Sequence, residues 1–381
     1  MKFLHLSILA IACVSYTVAS ILKRDFSTTI FTPPSSYQVP RTLYARSLML
    51  TVNDASGTLL STWENYSGGV TWFPIYRSSN HGQTWSPLSK VTDQVNGWGL
   101  RYQPILYELK QDLGGYKAGS ILLAGNSIPA DLSATKIDLY ISTDKGLTWK
   151  FLSHIAEGGE ADPVNGKTPV WEPFLMVYNN QLHCYYSDQR DPKHGQKLVH
   201  QSTSDLKAWS SVVDDVTDSD YTARPGMPTI AQMGNGKYIM TFEYCGTRNC
   251  DVYYKITTDP TSWDNVAPTQ LIARDGTAPY SSPFITWTPI GAQSGSSGAK
   301  TANGTVVANA YSDGSLYVNK QNGDPNAWTR ISTSSPGQYS RSLAVGFNPK
   351  DIVIVGGGAL NGNNNVVSLY ARDVNGCSYC T

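Results

Sequence analysis

Apolar and polar residues alternate in short runs closed by Gly, Asn or Pro, a period that predicts strands rather than helices. No segment of 12 or more residues holds a capped 3.6-residue apolar period. One pattern recurs: a strand entered through a proline, a Gly/Asn turn, then a second alternating strand. It reads Gln103-Pro104-Ile105-Leu106, Glu172-Pro173-Phe174-Leu175, Met227-Pro228-Thr229-Ile230 and Ser282-Pro283-Phe284-Ile285, with proline-free versions near Ser47 and Ser342. In the fourth unit Gly234-Asn235-Gly236 marks the hairpin between two such strands.

A turn signature follows each pair. Ser142-Thr143-Asp144-Lys145-Gly146-Leu147-Thr148-Trp149 is an Asp-box, S-x-D-x-G-x-T-W. Its aspartate is expected to accept backbone amides, its glycine to take φ > 0 and its tryptophan to fill the gap beneath the turn. Weaker copies end at Trp85, Trp209, Trp263 and Trp328, and a sixth, Ser368 to Gly376, lacks the tryptophan. The Trp-to-Trp spacings of 64, 60, 54 and 65 residues suit a four-stranded sheet plus loops. Six inner strands thus match six outer hairpins. The fold expected is all-β, a six-bladed propeller whose first and last segments share a blade so that no sheet edge stays open.

Composition agrees: 23 Tyr, 10 Trp and 33 Gly with 15% charged residues describe an aromatic, turn-rich chain. The 29 basic and 29 acidic residues balance, which leaves no electrostatic footprint for nucleic acid or an anionic membrane, and a monomer is expected. Residues 1–20 carry a lysine, an apolar core and Val18-Ala19-Ser20, the pattern of a cleaved secretory signal. Residues 21–24 end in Lys23-Arg24 and read as a short propeptide, so residues 25–381 form the single propeller domain of a secreted, extracellular protein. In that compartment Cys245/Cys250 and Cys377/Cys380 are expected as short-loop disulfides and Cys184 as a buried thiol. No spacing suits zinc, and neither metal nor cofactor is expected. Asn65-Tyr66-Ser67 and Asn303-Gly304-Thr305 are acceptors for N-glycosylation.

Propeller sites lie on the axis, so the repeat register nominates residues. Glu172 stands where the equivalent units have Gln103, Met227 and Ser282, beside Trp171 and before a proline, in a partly apolar wall that should raise its pKa and suit it to act as a general acid. Glu243 ends the second strand of the fourth unit between Phe242 and Tyr244, rigidly held as a nucleophile must be. Taken singly, each is as well read as a strand-end carboxylate paired with an arginine. Together, two carboxylates across one sugar bond are the apparatus of glycoside hydrolysis. Tyr102, Asn126, Trp171 and Tyr244, with Trp98, would stack on or bond to sugar rings, and the inserts at about 86–100, 154–170 and 289–304 would wall the cleft.

The signal, the Asp-box, Trp171-Glu172-Pro173-Phe174, Thr241-Phe242-Glu243-Tyr244 and Tyr339-Ser340-Arg341-Ser342, over nearly all of residues 25–381, resemble the fungal exo-α-1,5-L-arabinanases of glycoside hydrolase family 93. That resemblance implies a sialidase-like propeller that releases arabinobiose from linear arabinan, the side chains of pectin, with retention of configuration. It also implies Glu172 as acid/base, Glu243 as nucleophile and Tyr339 at the site, able to donate a hydrogen bond to Glu243. Three rival readings follow. A sialidase would use Arg46, Arg224 and Arg341 as a carboxylate clamp with Tyr339 as nucleophile, although its Arg-Ile-Pro motif is absent. A non-catalytic sugar-binding propeller would need only the aromatic rim. An inverting five-bladed arabinanase is disfavoured by the repeat count. In the hydrolase reading the three arginines are instead partners that orient Glu243 and bind neutral sugar hydroxyls.

Overall fold

The computed structural model describes residues 25–54, 56–291 and 304–375. Its strands form six four-stranded antiparallel sheets, and among the described residues there is no helix. The first strand, β1 (Asp25–Phe31), belongs to the last blade. Blade 1 holds β2 (Thr42–Met49), β3 (Leu59–Asn65), β4 (Phe73–Ser78) and β5 (Ser86–Val91). Blade 2 holds β6 (Leu100–Glu108), β7 (Ile121–Ser127), β8 (Thr135–Ser142) and β9 (Lys150–Gly158). Blade 3 holds β10 (Val170–Tyr178), β11 (Gln181–Asp188), β12 (Lys197–Thr203) and β13 (Val213–Val216). Blade 4 holds β14 (Arg224–Gln232), β15 (Tyr238–Cys245), β16 (Asp251–Thr257) and β17 (Thr269–Gln270). Blade 5 holds β18 (Phe284–Thr288), β19 (Thr305–Asn309), β20 (Leu316–Asn319) and β21 (Trp328–Ile331). Blade 6 holds β22 (Ser342–Val345), β23 (Asp351–Gly356) and β24 (Val367–Asp373), and β1 closes it by pairing with β24 from Asp25↔Arg372 to Phe31↔Val367. The ring is therefore shut by strands from both ends of the chain, as the edge argument requires.

Each rim hairpin is held by its own side chains. In the strict Asp-box, Asp144 accepts the Ser142 hydroxyl (2.7 Å), the Thr148 hydroxyl (2.5 Å) and the Thr148 N–H (2.9 Å), while Ser142 Oγ accepts the Gly146 N–H. Lys145 and Gly146 take φ of 58° and 90°. Trp149 donates to Gly146 O and to Ser89 of the preceding blade, each at 3.2 Å. The copy with Asn80 keeps most of these bonds: Asn80 Oδ1 accepts from Ser78 and the Thr84 N–H, Trp85 donates to Gly82 O, and the bond to the Thr84 hydroxyl is reversed, with Asn80 Nδ2 as donor. Trp209 repeats the inter-blade contact, donating to Ser153. Trp263 and Trp328 are fully buried between sheets. Each tryptophan closes its gap, but it also bonds or packs one blade against the next.

The prolines of the inner strands do not begin those strands. Pro104, Pro173 and Pro228 lie inside β6, β10 and β14, directly after a residue at positive φ: Gln103 (59°), Glu172 (62°) and Met227 (57°). Ser282 (43°) precedes Pro283 at the start of β18, and Tyr44 (51°) and Ser340 (53°) occupy the same place in blades 1 and 6. Register with the second strand slips at this point in blades 1 to 4, which marks a β-bulge. A bulge leaves one residue outside the ladder, and proline, having no N–H, leaves no donor unpaired there.

Candidate active site

The six positive-φ sites form the wall of the central channel, and they are tied together blade by blade. The N–H of Gln103 donates to Glu64 Oε1 of blade 1 (3.0 Å), and the N–H of Glu172 to Gln103 Oε1 (3.0 Å). The N–H of Met227 donates to Glu172 Oε2 (2.8 Å), that of Ser282 to Glu243 Oε2 (2.7 Å), and that of Ser340 to Ser282 Oγ (2.9 Å). Ser340 in turn accepts from Arg46 of blade 1, at its carbonyl (2.6 Å) and its hydroxyl (2.8 Å). A non-glycine residue at positive φ costs about 1–3 kcal/mol and persists only where its surroundings over-determine it, and here the neighbouring blade supplies an acceptor for the bulge N–H. The second strands end in polar residues on the same face. Ser187 donates to Glu172 Oε2 (2.6 Å), Asn126 donates to Gln103 Oε1 (2.8 Å), and Asn309 accepts the Phe284 N–H (3.1 Å).

Above this ring lies a cavity of about 430 Å³, lined among others by Glu64, Tyr102, Trp171, Glu172, Arg224, Glu243 and Tyr339. Gly226 of β14 stands between the two acids: a methyl placed there would lie 3.3 Å from Glu243 Oε1, 3.4 Å from Glu172 Oε2 and 2.8 Å from Gln196 Nε2. The absent side chain is what leaves the space between the carboxylates open. Burial raises Glu172 above the usual carboxylate range despite the bonds from Ser187 and Met227. Burial, reinforced by the Glu172 charge, pushes Glu243 up to about 7 against the pull of the Ser282 N–H. Two raised acids facing one cavity hold a proton between them near neutrality, the state that general acid chemistry needs. Trp171 is fixed by donating to Gln189 (2.9 Å), and Tyr102 packs 6.3 Å from Tyr66.

Several residues nominated from the sequence fall elsewhere. Tyr244 is buried in the core, its hydroxyl donating to Asp218, because residues alternate along β15 and Glu243 takes the channel face. Asn126 is fully buried behind Gln103 and acts through it. Tyr339 lines the cavity, its ring edge-on to Tyr44 and Tyr311 at 6.2 and 5.9 Å, but no hydrogen bond joins it to Glu243. The three arginines do not converge. Arg46 is buried against Tyr44 and Phe284 and donates to Ala45 and Ser340. Arg341 is buried and donates to Ser335 and to the carbonyls of Ala310 and Asp313. Arg224 reaches the cavity with its guanidinium held by Asn165, Gln189, Gln196 and the Gly195 carbonyl. Asn65 is 3% exposed, so a glycan cannot be attached to it in the folded state. The Cys245–Cys250 disulfide is present beside the cavity and Cys184 is buried and free. The signal and propeptide, Asn303, Cys377 and Cys380 lie outside the described residues.

Of the inserts, 159–169 brings Ala161 and Pro163 to the cavity, while much of 86–100 and 154–170 is strand β5 and β9. Most of 289–304 lies outside the described residues. The sequence reading missed Glu64, Tyr66 and Gln103. Glu64 accepts Tyr66 Oη (2.8 Å) as well as the Gln103 N–H, and burial lifts it to about 7. Its signal was present: Trp63-Glu64 ends the second strand of its unit as Phe242-Glu243 does.

A closed six-bladed ring with paired, raised carboxylates at its axis defines a glycoside hydrolase of the sialidase-like class. Comparison with solved structures agrees. The α-L-arabinanase of Penicillium chrysogenum, complexed with arabinobiose, is 47% identical with a TM-score of 0.85, over 91% of this chain and 97% of that chain. The α-L-arabinofuranosidase of Fusarium graminearum, a family 93 enzyme also solved with arabinobiose, is 46% identical with a TM-score of 0.87, over 92% of this chain and 99% of that one. The chain belongs to glycoside hydrolase family 93. The NanB sialidase of Streptococcus pneumoniae shares the fold alone, at 12% identity and a TM-score of 0.58 over 91% of this chain and 70% of that one. No family model and no curated protein matches the chain.

Proposed function

We propose that the protein is a secreted, retaining exo-α-1,5-L-arabinanase that releases arabinobiose from linear arabinan. The observation that carries the mechanism is the placement of Glu172 and Glu243 around Gly226. Their oxygens lie 3.3 and 3.4 Å from one point, so they are no farther apart than those two lengths end to end. That limit, set by the two facing oxygens, admits the retaining separation of about 5–5.5 Å between the carboxyl groups. The substrate reading rests on the two neighbours solved with arabinobiose.

In this scheme Glu172 protonates the departing O5 while Glu243 attacks the anomeric carbon, and Glu172 then draws a proton from the water that opens the glycosyl ester. Arg224, held by four neutral acceptors and facing both acids, lowers the cost of the ionised member of the pair. Digestion of debranched arabinan tests the reading: arabinobiose as the sole early product, released as the α-anomer by proton NMR, is expected. A ladder of oligomers would refute exo action, the β-anomer would refute retention, and glutamine variants that leave turnover intact would refute the acid pair.

A further inference from the structure

A second cavity, of about 480 Å³, lies between blades 1 and 2 and shares Tyr66 with the first. We infer that it is a leaving-chain groove, in which Trp98 and Arg101 bind furanose units of a neutral polysaccharide beyond the scissile bond. The assignment rests on the roles proposed for Glu172 and Glu243.

Three features point to a sugar ligand. Trp98 lines the groove, while the Lys136 ammonium sits 5.2 Å from its ring and is not part of the lining, so one indole face is covered and the other is left for stacking. The Trp98 loop is pinned: Asp93 accepts the N–H groups of Val95, Asn96, Trp98 and Gly99 at 2.8–3.0 Å and the Ser127 hydroxyl at 3.1 Å, and Asn96 donates to Asp138. A platform fixed in advance loses little entropy on binding. Arg101, also in the lining, sets its guanidinium 6.0 Å from the Tyr102 ring, which holds N–H donors of the kind that bind sugar hydroxyls at the groove wall.

Side and polarity follow from connectivity. Tyr66 bonds Glu64, Glu64 holds Gln103, and Gln103 holds the Glu172 backbone, so the groove opens on the Glu172 side, whereas Glu243 hangs from blade 4. The residue that protonates the leaving oxygen stands on the leaving-group side, which makes this groove the path of the polymer that remains after each cut. Val70, 70% exposed, and Gly68, Gly69 and Gly97, around which added methyls would meet nothing, keep its floor open.

The test compares kcat/KM on long debranched arabinan with that on arabinotriose, whose leaving unit is a single sugar. Trp98→Ala is expected to lower the polymer value about tenfold and leave the trisaccharide value within about twofold. Val70→Lys, at a site too exposed to disturb folding, should produce the same split by placing a hydrated charge in the groove. Equal losses on both substrates, or no loss on the polymer in either variant, would overturn the inference. A wild-type enzyme that makes no arabinobiose would instead refute the proposed function, and the two failures are read from different samples.

Discussion

The rim hairpins and the axial positive-φ sites both occur once per blade, yet they satisfy their polar groups over different distances in the chain. At the rim, Asp144 binds Ser142 and Thr148, two and four residues away. At the axis, Gln103 is held by Glu64, Glu172 by Gln103 and Met227 by Glu172, across 39, 69 and 55 residues. The Asp144 bonds of the rim turn are therefore complete within its own hairpin, with the tryptophan and Gly146 reaching the preceding blade, whereas no axial site is complete until the neighbouring blade is docked. The proposed catalytic groups belong to the second kind: Glu172 and Glu243 each accept the N–H of the positive-φ residue in the next blade, so these carboxylates also tie the blades together.

That difference is tested first at the acids themselves. Glu172→Gln should lower kcat by about 10²–10⁴-fold, and Glu243→Gln by at least as much, with arabinobiose binding retained by calorimetry. Glutamine still accepts the bulge N–H, so thermal melting should barely move. The sign of any change at Glu243 is fixed: its folded pKa of about 7 lies above the unfolded value, so its contribution to stability is full below about 4.5 and is lost as pH rises through 7. Above pH 7 the Glu243→Gln protein should melt no lower than wild type, and a clear drop would mean that the ionised form is structurally required.

A smaller effect is expected one step back from the acids. Gln103→Ala removes the acceptor of the Glu172 N–H and the partner of Asn126, leaving polar groups unpaired at about 1–3 kcal/mol. Because the loss displaces Glu172, kcat should fall with KM nearly unchanged, and equal activity in this variant would show that the bulge geometry does not matter to turnover.

Next in size is a shift in pH dependence. The alkaline limb of kcat/KM reports loss of the proton shared by the acid pair, and Glu64, whose charge interacts with that of Glu172, should raise it. Glu64→Gln is expected to move that limb to lower pH, and a limb that stays in place would separate Glu64 from the titration.

The smallest change belongs to the rim. Asp144→Ala should cost about 1 kcal/mol through lost turn bonds, a fall in Tm of roughly 1–3 °C, with kcat untouched. A loss of activity there would break the division between a self-contained rim and a cooperative axis.

The same division explains what could be read in advance. The rim was legible because its chemistry is local: Ser142, Asp144, Gly146, Thr148 and Trp149 find one another within eight residues, and their period counted six blades. Glu172 and Glu243 were legible as departures from a repeat, and family resemblance supplied their roles. The orientation of a residue one place along was harder. Tyr244 and Asn65 follow the channel glutamates Glu243 and Glu64 and face the core, since a strand turns successive side chains to opposite faces and a bulge resets which face is which.

By itself, then, the sequence determined the sheets, their number and the closing of the ring, which depend on period, turn chemistry and composition, and it nominated Glu172 and Glu243 as departures from the repeat. Only the tertiary structure decided that Glu64 and Gln103 support the pair, that Arg46 and Arg341 are spent on Ser340 and on backbone carbonyls rather than on substrate, and that Gly226 keeps the gap between the carboxylates open. Those are relations between blades, set by distances across the ring that no local pattern encodes.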